Sequence, residues 1–314
     1  MIRISAIVPT YNRPTELRAC LEGFAGQTAP RESFEVIVID DGSAETMEPL
    51  VMEFAGVMNL VYRRIANSGQ SVAKNLAIDT AAAPMLLFYD DDLSPRPGII
   101  ERCLAFHEAQ PDEGQALLLW FRPAPTLRHD TLIRWAFPRM YPFPANPRVI
   151  GSFWGGTISC KKSIFRFARF NPEFRALEDM ELEIRLRRRL DLHVHFERRI
   201  MGLYTHLATL SQVLGRSYIM GYYDYQLSFK YRGAYGGEVP FEPERHLIPA
   251  SEMKGLIVAA KSLIAKRPEP ESAVFRMLSA LLTRVDLHAK ADGWRTARDR
   301  ASPDPPGTLR PYLK

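Results

Sequence analysis

Three adjacent carboxylates follow a short apolar run in the first third of the chain. Asp90, Asp91 and Asp92 come directly after residues 85–89, which have the pattern of a buried strand. In an extended chain side chains alternate faces, so Asp90 and Asp92 should point one way and Asp91 the other. Such a pair can share one hard divalent cation, Mg²⁺ or Mn²⁺. The alternative is a solvated turn in which Asp91 or Asp92 caps the next element.

A second acidic pair, Asp40 and Asp41, ends another apolar run and precedes Gly42 and Ser43. In open α/β sheets ligands bind beyond the carboxyl ends of the strands, where both acidic segments are expected. A carboxylate there can accept a hydrogen bond from the imide N–H of a base such as uracil. The alternative is ordinary turn chemistry, with Asp41 or Ser43 forming an Asx turn or a helix N-cap.

A third acidic pair, Glu178 and Asp179, opens a predicted helix. A carboxylate in this position could remove a proton from an attacking hydroxyl group as a general base. The alternative is structural, because acids at a helix start are favoured by the helix dipole and acid–base pairs four residues apart stabilise a helix. Those pairs would be formed by Glu181 with Arg185 and by Glu183 with Arg187.

The elements that must position these carboxylates alternate between strand and helix through residue 92. Strands are predicted at 4–8, 35–39, 57–62 and 85–89, with helices after 14 and at 71–82. Beyond them the pattern predicts a helix at 98–109, a strand at 116–121, a proline-rich loop at 122–148, an interrupted strand at 149–160, helices at 179–190, 207–232 and 251–290, and a loose tail from 302. The fold class is therefore α/β: a Rossmann-like, mixed, mostly parallel sheet flanked by helices, with a C-terminal helical extension.

The composition restricts partners and location. The net charge is +5, and residues 151–235 alone hold 14 Lys and Arg against 8 Asp and Glu. Such a basic face attracts phosphate-bearing partners, but the acids beside the 187–189 arginine run make nucleic acid an unexpected one. Three scattered cysteines indicate a reducing compartment. No apolar run reaches the ~18 residues of a membrane span, so we expect a cytoplasmic protein, with possible peripheral contact at the inner face of a membrane.

Taken together, five ordered motifs resemble those of the family 2 glycosyltransferases, over roughly residues 3–232. The resemblance implies a GT-A fold, a nucleotide-diphospho-sugar donor, Mn²⁺ or Mg²⁺, and inversion at the anomeric carbon. It also implies a domain at 1–232, with a nucleotide-binding half at 1–92 and an acceptor-side half at 93–232, before a helical extension at 233–314. The motifs are Pro9-Thr10-Tyr11-Asn12-Arg13, Val38-Ile39-Asp40-Asp41-Gly42-Ser43, Ala73-Lys74-Asn75, Phe88-Tyr89-Asp90-Asp91-Asp92 and Glu178-Asp179.

The resemblance also implies a role for each matched residue. Asp179 is the first choice for the base and Glu178 the second, although Leu177 stands where relatives commonly have glycine. Asp92 is the firmest metal ligand, with Asp90 beside the metal or the ribose, and His206 helping to hold the metal or the diphosphate. The donor would be bound by Pro9, Thr10, Tyr11, Asn12, Asp41, Lys74, Asp90 and Asp91.

Two further segments carry weaker expectations about the acceptor side. Trp154, Gly155 and Gly156 could contact acceptor or donor, the glycines allowing close backbone approach, unless they form a bulge beside a core aromatic. The aromatic residues of 165–170, interleaved with arginines, could meet a lipid interface, unless they are core residues.

We therefore expect an inverting transferase that moves a sugar, with a UDP-sugar as the first choice of donor, to a hydroxyl of a glycan, a lipid-linked saccharide or another small acceptor. One alternative is a sugar-1-phosphate nucleotidyltransferase, but the loop after the first strand lacks the glycines that cradle a triphosphate. The other is a nonenzymatic sugar- or nucleotide-binding module.

Overall fold

A computed structural model describes residues 1–141, 151–232 and 242–299. Within these ranges the chain forms eight strands, nine α-helices and three short 3₁₀ turns. The strands are β1 Ile4–Thr10, β2 Phe34–Asp40, β3 Asn59–Arg64, β4 Met85–Tyr89, β5 Leu93–Pro95, β6 Gln115–Pro123, β7 Thr157–Lys161 and β8 His193–Tyr204. The α-helices are α1 Pro14–Ala25, α2 Glu48–Met52, α3 Gln70–Thr80, α4 Ile99–Ala109, α5 Thr131–Met140, α6 Glu178–Arg187, α7 Leu210–Lys230, α8 Ala250–Ala265 and α9 Ala273–Arg298. The 3₁₀ turns are Arg31–Ser33, Lys162–Arg166 and Pro243–His246.

The strands form one sheet in the order β3-β2-β1-β4-β7-β6-β8-β5. The pairs β1/β2, β2/β3, β1/β4 and β6/β8 are parallel, whereas β7 runs antiparallel to both of its neighbours and β5 antiparallel to β8. Strands β1 and β2 are buried along their whole length, as central strands covered by helices on both faces must be. The predicted α/β class with a mixed, mostly parallel sheet is confirmed.

The sheet register brings the acidic segments to one edge. The last residue of β1, Thr10, pairs with Asp40 at the end of β2, and β4 beside them ends at Tyr89. Because β7 is antiparallel to β4, its first residue, Thr157, pairs with Tyr89. The segment that precedes β7 therefore reaches the same edge at which β1, β2 and β4 end.

Two predicted elements within residues 122–160 differ from the structure. The proline-rich segment 122–148 was predicted as a loop, but it contains α5, which Asp130 caps by accepting from the Ile133 N–H. Its only interior proline, Pro138, lies in the last turn, where little of the helix is left to break. The strand predicted at 149–160 is regular only from Thr157, because a turn precedes it. Residues 142–150 and the predicted tail from 302 lie outside the described residues.

The chain divides into two compact units. Unit 1 comprises residues 1–124 and 144–206, and unit 2 comprises residues 125–143 and 207–314. Helix α7, which the sequence places in the domain predicted to end at residue 232, packs along α9 in unit 2. The helix predicted at 251–290 is two helices, α8 and α9, separated by a segment that contains Pro268 and Pro270. No helix among the described residues is long and apolar enough to cross a bilayer.

Unit 2 depends on a close crossing between α7 and α9. A Cβ atom added at Gly293 of α9 would lie 1.9 Å from the Tyr218 carbonyl oxygen, and one at Gly221 of α7 would lie 2.0 Å from the Lys290 carbonyl oxygen. Both obstacles are backbone atoms of the facing helix, which cannot rotate away. Only glycine therefore allows the two helices to approach this closely.

We predict that Gly293→Ala lowers the free energy of unfolding by at least about 2 kcal/mol, because the added methyl group forces the helices apart. The matched control is Gly255→Ala in α8, where a Cβ atom would meet nothing within 4 Å. That change should instead stabilise the protein by about 0.5 to 1 kcal/mol, the usual gain in helix propensity. Urea unfolding of both full-length variants measures the difference, and equal effects would contradict the close crossing.

Candidate active site

The acidic run after β4 does not continue as an extended strand. The Leu93 N–H donates to the Asp90 carbonyl oxygen at 3.2 Å, which closes a turn over Asp91 and Asp92. Arg13 Nη1 lies 3.0 Å from Asp91 Oδ1 and 3.1 Å from Asp92 Oδ2. The expectation that Asp91 points away from Asp92 is therefore wrong, because side chains alternate only along extended backbone.

Arg13 supplies the positive charge that this pair of carboxylates requires. Burial would lower the pKa of the Arg13 guanidinium, but the charges of Asp91 and Asp92 outweigh it and hold that pKa above its usual range. Burial raises the pKa of Asp91 to about 7, although Arg13 and the hydroxyl group of Thr10 act against the rise. The Thr10 hydroxyl donates to Asp91 Oδ2 at 2.7 Å, so Asp91 ties the end of β1 to the end of β4.

Asp90 faces a different neighbour, the segment before β7. A Cβ atom at Gly156 would lie 2.2 Å from Asp90 Oδ2, so no other residue type fits there without moving the carboxylate. The Asp90 N–H donates to the Gly156 carbonyl oxygen at 2.9 Å. The same segment approaches Lys74, since a Cβ atom at Gly155 would lie 2.8 Å from Lys74 Nζ. The two glycines thus allow the backbone to approach Asp90 and Lys74 closely. Their contact with acceptor or donor stays a prediction.

Lys74 joins two acidic segments that are far apart in the sequence. The residue is 1% exposed, and its Nζ lies 2.8 Å from Glu178 Oε1. Burial alone would lower the pKa of Lys74, but the charges of Glu178, Asp90 and Asp179 raise it. Because all three carboxylates act on one buried cation, the acids after β4 and those at the start of α6 belong to a single site.

Asp179 is held by two backbone N–H groups. Its Oδ2 accepts from the Gly155 N–H at 2.9 Å and its Oδ1 from the Met180 N–H at 2.8 Å. Loss of solvent, reinforced by the charge of Glu178, raises the pKa of Asp179 to about 7, against the pull of Lys74. A carboxyl group with a pKa near neutrality can both accept and release a proton, which is the property a general base needs.

The residue before this acidic pair adopts a backbone conformation that favours glycine. Leu177 is the N-cap of α6 and has φ 57° and ψ 22°, in the left-handed region. For a branched side chain this region costs about 1 kcal/mol. The family resemblance implies glycine at this position. Leu177 keeps the backbone conformation that favours glycine, while its side chain is buried.

Glu183 organises the turn that carries Gly155 and Trp154. Its carboxylate accepts from the N–H groups of Gly151, Ser152 and Phe153, at 2.7, 3.1 and 3.2 Å. The predicted pair with Arg187 is also present, at 2.8 Å. Trp154 donates from its indole Nε1 to the Gly151 carbonyl oxygen at 2.7 Å, so its ring is fixed within this turn.

The ends of β1 and β2 form the opposite side of the site. Asp41 is buried, and its two carboxylate oxygens accept from the N–H groups of Ser68 and Gly69 at 2.7 and 2.9 Å. Each oxygen retains a further lone pair for a ligand. Asn12, at φ 54°, accepts at its side-chain oxygen from the Ala44 N–H, and its own N–H donates to Ser43 Oγ.

The two other predicted donor-binding residues of this loop differ in exposure. Pro9 is buried within β1, whereas the Tyr11 side chain is 48% exposed. An exposed aromatic ring at the carboxyl edge of the sheet is available for contact with a ligand.

His206 lies next to the acidic turn through strand pairing. The N–H of the preceding residue, Thr205, donates to the Asp92 carbonyl oxygen at 2.9 Å. His206 Nδ1 lies 2.7 Å from Glu16 Oε1. Burial would raise the pKa of Glu16, but the hydrogen bond with His206 lowers it below its usual range. A carboxylate that holds Nδ1–H leaves Nε2 with a free lone pair, as in metal-binding histidines.

The donor set suits a cation that arrives with a substrate rather than a closed metal cage. No group of three or more His, Cys, Asp or Glu side chains is poised around a common point in the part of the chain that the structure describes. Mg²⁺ in enzymes usually takes only one or two carboxylates and completes its shell with substrate phosphates and water. Asp92, Asp90 and His206 provide oxygen and imidazole donors of that kind.

The expectation of a lipid-facing aromatic segment is wrong. Phe165 and Phe170 are buried against Phe88, so they are core residues. Arg166 pairs with Glu113 and Arg169 with Asp79. These arginines are neutralised by acids of the same unit, which leaves little charge for an anionic surface.

Two residues of the site were not singled out from the sequence. Arg13 is part of the first motif, but the sequence analysis predicts no role for it. Three adjacent carboxylates nevertheless require a nearby cation. Glu183 was read only as a helix-surface ion pair, and no sequence signal indicates that it binds three backbone N–H groups of a distant turn.

The sequence model of the family described as glycosyl transferase family 2 matches residues 5–167. The validoxylamine A glucosyltransferase of Streptomyces hygroscopicus subsp. jinggangensis is 35% identical over 106 residues, 33% of this chain and 25% of its own length. TarS of Staphylococcus aureus, a poly(ribitol-phosphate) beta-N-acetylglucosaminyltransferase, is 32% identical over 94 residues, 29% of this chain and 16% of TarS. The chain thus matches a quarter or less of the length of either relative.

Solved structures extend the likeness to the whole fold. TarS 1–349 in complex with UDP-GlcNAc superposes with a TM-score of 0.55 at 15% identity, covering 95% of this chain and 92% of that one. The mannosyltransferase PcManGT of Pyrobaculum calidifontis, in complex with GDP-Man and Mn²⁺, gives a TM-score of 0.59 at 18% identity, covering 93% and 87%. The predicted GT-A fold is confirmed.

The raised pKa of Asp179 predicts a pH-dependent effect on stability. Its pKa is about 7 in the folded chain against 3.8 for an ordinary aspartate, so the unfolded state releases this proton first as the pH rises. The stabilising contribution is complete below about pH 4 and is lost as the pH rises through about 7. Asp179→Asn removes this loss, so the stability of the variant relative to the parent should increase from about pH 4.5 to about pH 8.

Thermal unfolding across this pH range measures the relative stability. The matched control is Glu45→Gln, at an exposed side chain, and its relative stability should stay constant with pH. A relative stability of Asp179→Asn that stays constant, or falls as the pH rises, would contradict the raised pKa.

Proposed function

Because the chain belongs to glycosyl transferase family 2, we propose that it transfers a sugar from a nucleotide-diphosphate donor to an acceptor hydroxyl group, with inversion at the anomeric carbon. The observation that carries the proposal is the convergence of Asp90, Glu178 and Asp179 on buried Lys74. This arrangement puts a candidate base next to the acids that would face the donor diphosphate.

In the proposed reaction Asp179 accepts the proton of the acceptor hydroxyl group as its oxygen forms a bond to the anomeric carbon. The bond between that carbon and the diphosphate oxygen breaks at the same time, and the diphosphate leaves with the electron pair. Lys74 holds Glu178 in place through their hydrogen bond, and the Gly155 N–H orients Asp179. A Mn²⁺ or Mg²⁺ ion bound at Asp92, with Asp90 and His206 as the further candidate ligands, would offset the charge on the leaving diphosphate.

We propose that the nucleotide lies over the ends of β1 and β2. The segment Pro9-Thr10-Tyr11-Asn12 would line the nucleoside, and the remaining lone pairs of Asp41 would accept the imide N–H of the base. Both UDP-GlcNAc, bound by TarS, and GDP-Man, bound by PcManGT, carry such an N–H group. A UDP-sugar is our first choice, since uracil presents an imide N–H to a carboxylate acceptor.

The acceptor and the location are proposed more broadly. The names of two relatives include validoxylamine A and poly(ribitol-phosphate). We propose as acceptor a hydroxyl of a glycan, a lipid-linked saccharide or another small acceptor. Trp154, beside Gly155 and Gly156, would contact it. We place the reaction in the cytoplasm, at the inner face of a membrane, in polysaccharide biosynthesis.

The donor assignment predicts selective stabilisation by nucleotides. UDP, dTDP, GDP, CDP and ADP are added to the parent protein with and without Mn²⁺, and the shift in unfolding temperature is measured. UDP with Mn²⁺ should give the largest shift. Asp92→Asn should remove the Mn²⁺-dependent part, and Asp41→Asn the preference for UDP over CDP. A parent that does not distinguish the bases, or prefers ADP, would overturn the assignment.

The base assignment predicts different effects at the two neighbouring acids. Asp179→Asn keeps size but removes basicity, so turnover should fall by roughly 10² or more while donor affinity is retained. Glu178→Gln leaves the buried Lys74 ammonium without its closest partner, which should cost about 3 kcal/mol of stability. Hydrolysis and transfer of UDP-sugars, together with urea unfolding, measure both.

The double change Lys74→Met with Glu178→Gln is the control, because it removes both charges and should recover much of the lost stability. If Asp179→Asn keeps near-parent turnover while Glu178→Gln is folded, binds donor and is inactive, the two roles are exchanged. If both single variants turn over normally, the base lies elsewhere.

A further inference from the structure

Unit 2 contains a cavity that is separate from the carboxylate site of unit 1. Its volume is about 720 Å³, within the range of ligand pockets. It lies among α5, the segment after Pro243–His246 and α9. Four arginines line it: Arg139, Arg245, Arg276 and Arg284. The other lining residues include His246, the hydroxyl residues Ser279 and Thr283, and the apolar residues Phe275 and Ile248.

The four guanidinium groups are only partly neutralised. Arg245 pairs with Glu242, and Arg284 lies 2.6 Å from a carboxylate oxygen of Glu252. In the part of the chain that the structure describes, Arg139 and Arg276 donate only to uncharged oxygens, two carbonyl groups and the Ser279 hydroxyl group. Two positive charges therefore face the cavity without an acid in direct contact.

Asp286 is the acid whose charge acts on Arg139, and it does not cancel the excess positive charge at the cavity. Asp286 accepts a hydrogen bond from Ser217 of α7. Burial raises the pKa of Asp286, although Ser217, Lys290 and Arg139 act against the rise. Across the whole of unit 2 the sequence has 19 Lys and Arg against 12 Asp and Glu, so the unit as well as the cavity attracts anions.

The cavity is also apolar on one side, which distinguishes it from a site for free phosphate. Phe275 packs against Arg134, whose guanidinium carbon lies 5.0 Å from the ring centre. Ile248 is fixed by its N–H, which donates to His288 Nδ1 at 2.9 Å. On α9, Met277 lies two turns before Arg284 on the same face and is 57% exposed. Phosphate-binding and apolar groups are thus side by side, as an amphiphile requires.

From this cavity we infer a phospholipid-binding site: an anionic phospholipid places its head-group phosphate against Arg139 and Arg276. The glycerol region of the lipid then meets Phe275 and Ile248, and Met277 enters the interface. The site attaches unit 2 to a membrane surface. It does not depend on the proposed sugar transfer, because none of these residues belongs to the carboxylate site.

The test is sedimentation of the full-length protein with vesicles of phosphatidylcholine alone and of phosphatidylcholine mixed with phosphatidylglycerol, at low and physiological salt. The parent should bind only the mixed vesicles. Arg139→Gln with Arg276→Gln should weaken the partition coefficient by more than tenfold, since each basic residue at an anionic surface contributes about fivefold. Arg139 also packs over Trp135, so its replacement could disturb the fold. Arg276→Gln alone, at an exposed position, is therefore measured in parallel, and its partition coefficient should fall about fivefold.

The matched control is Lys254→Gln with Lys261→Gln, which removes the same charge from exposed positions of α8. The buried residues of this helix, Met253, Ile257 and Ala260, separate these two lysines from Glu252. Binding within about twofold of the parent supports the cavity. Equal losses in the two double variants would show diffuse attraction and overturn the site. So would failure of the parent to bind at low salt, or full displacement by inorganic phosphate, which would identify a free-anion site. Transfer to a water-soluble acceptor reports on the carboxylate site separately and should be unchanged in all of these variants.

Discussion

The candidate site depends on the ion pair between Lys74 and Glu178. A lysine that is 1% exposed is tolerated only if carboxylates compensate the lost hydration of its ammonium group. Glu178 does so at 2.8 Å, and the charges of Asp90 and Asp179 add to it. Because these acids come from different elements, the single lysine of α3 fixes the distance between the end of β4 and the start of α6. The same ion pair therefore sets the separation between the acids of these two segments for any reaction at this edge of the sheet.

Arg13 plays the corresponding part for the other half of the acidic run. It contacts both Asp91 and Asp92, and its positive charge offsets the repulsion between these two carboxylates. The two carboxylates differ in accessibility to a ligand. Asp91 is engaged by Thr10 as well as Arg13 and serves to join β1 to β4, whereas Asp92 is the one beside Thr205 and His206. This division of roles supports Asp92 as the ligand that a diphosphate-bound cation would use.

The sequence predicted the first half of the fold well and the detailed geometry poorly. Buried parallel strands have continuous apolar runs, so β1, β2 and β4 were predicted close to their observed bounds. The orientation of Asp91 was wrong because a turn, set by a single backbone hydrogen bond, replaces the extended chain. The helix α5 was missed because its prolines flank or end it. The arginine-lined cavity of unit 2 could not be predicted, since its lining residues meet only through tertiary packing.

The position of Asp179 shows how backbone geometry and buried charge act together. Leu177 enters α6 through a left-handed conformation, and this directs the first two helical residues back toward β7 and α3. The strain of about 1 kcal/mol is offset by Glu183, which accepts three N–H groups of the turn before β7. That turn in turn presents the Gly155 N–H to Asp179. A carboxylate at a helix start would otherwise face solvent, where its pKa would remain that of an ordinary carboxyl group. Here the turn holds Asp179 against Glu178 and Lys74. The same packing that orients Asp179 raises its pKa to about 7.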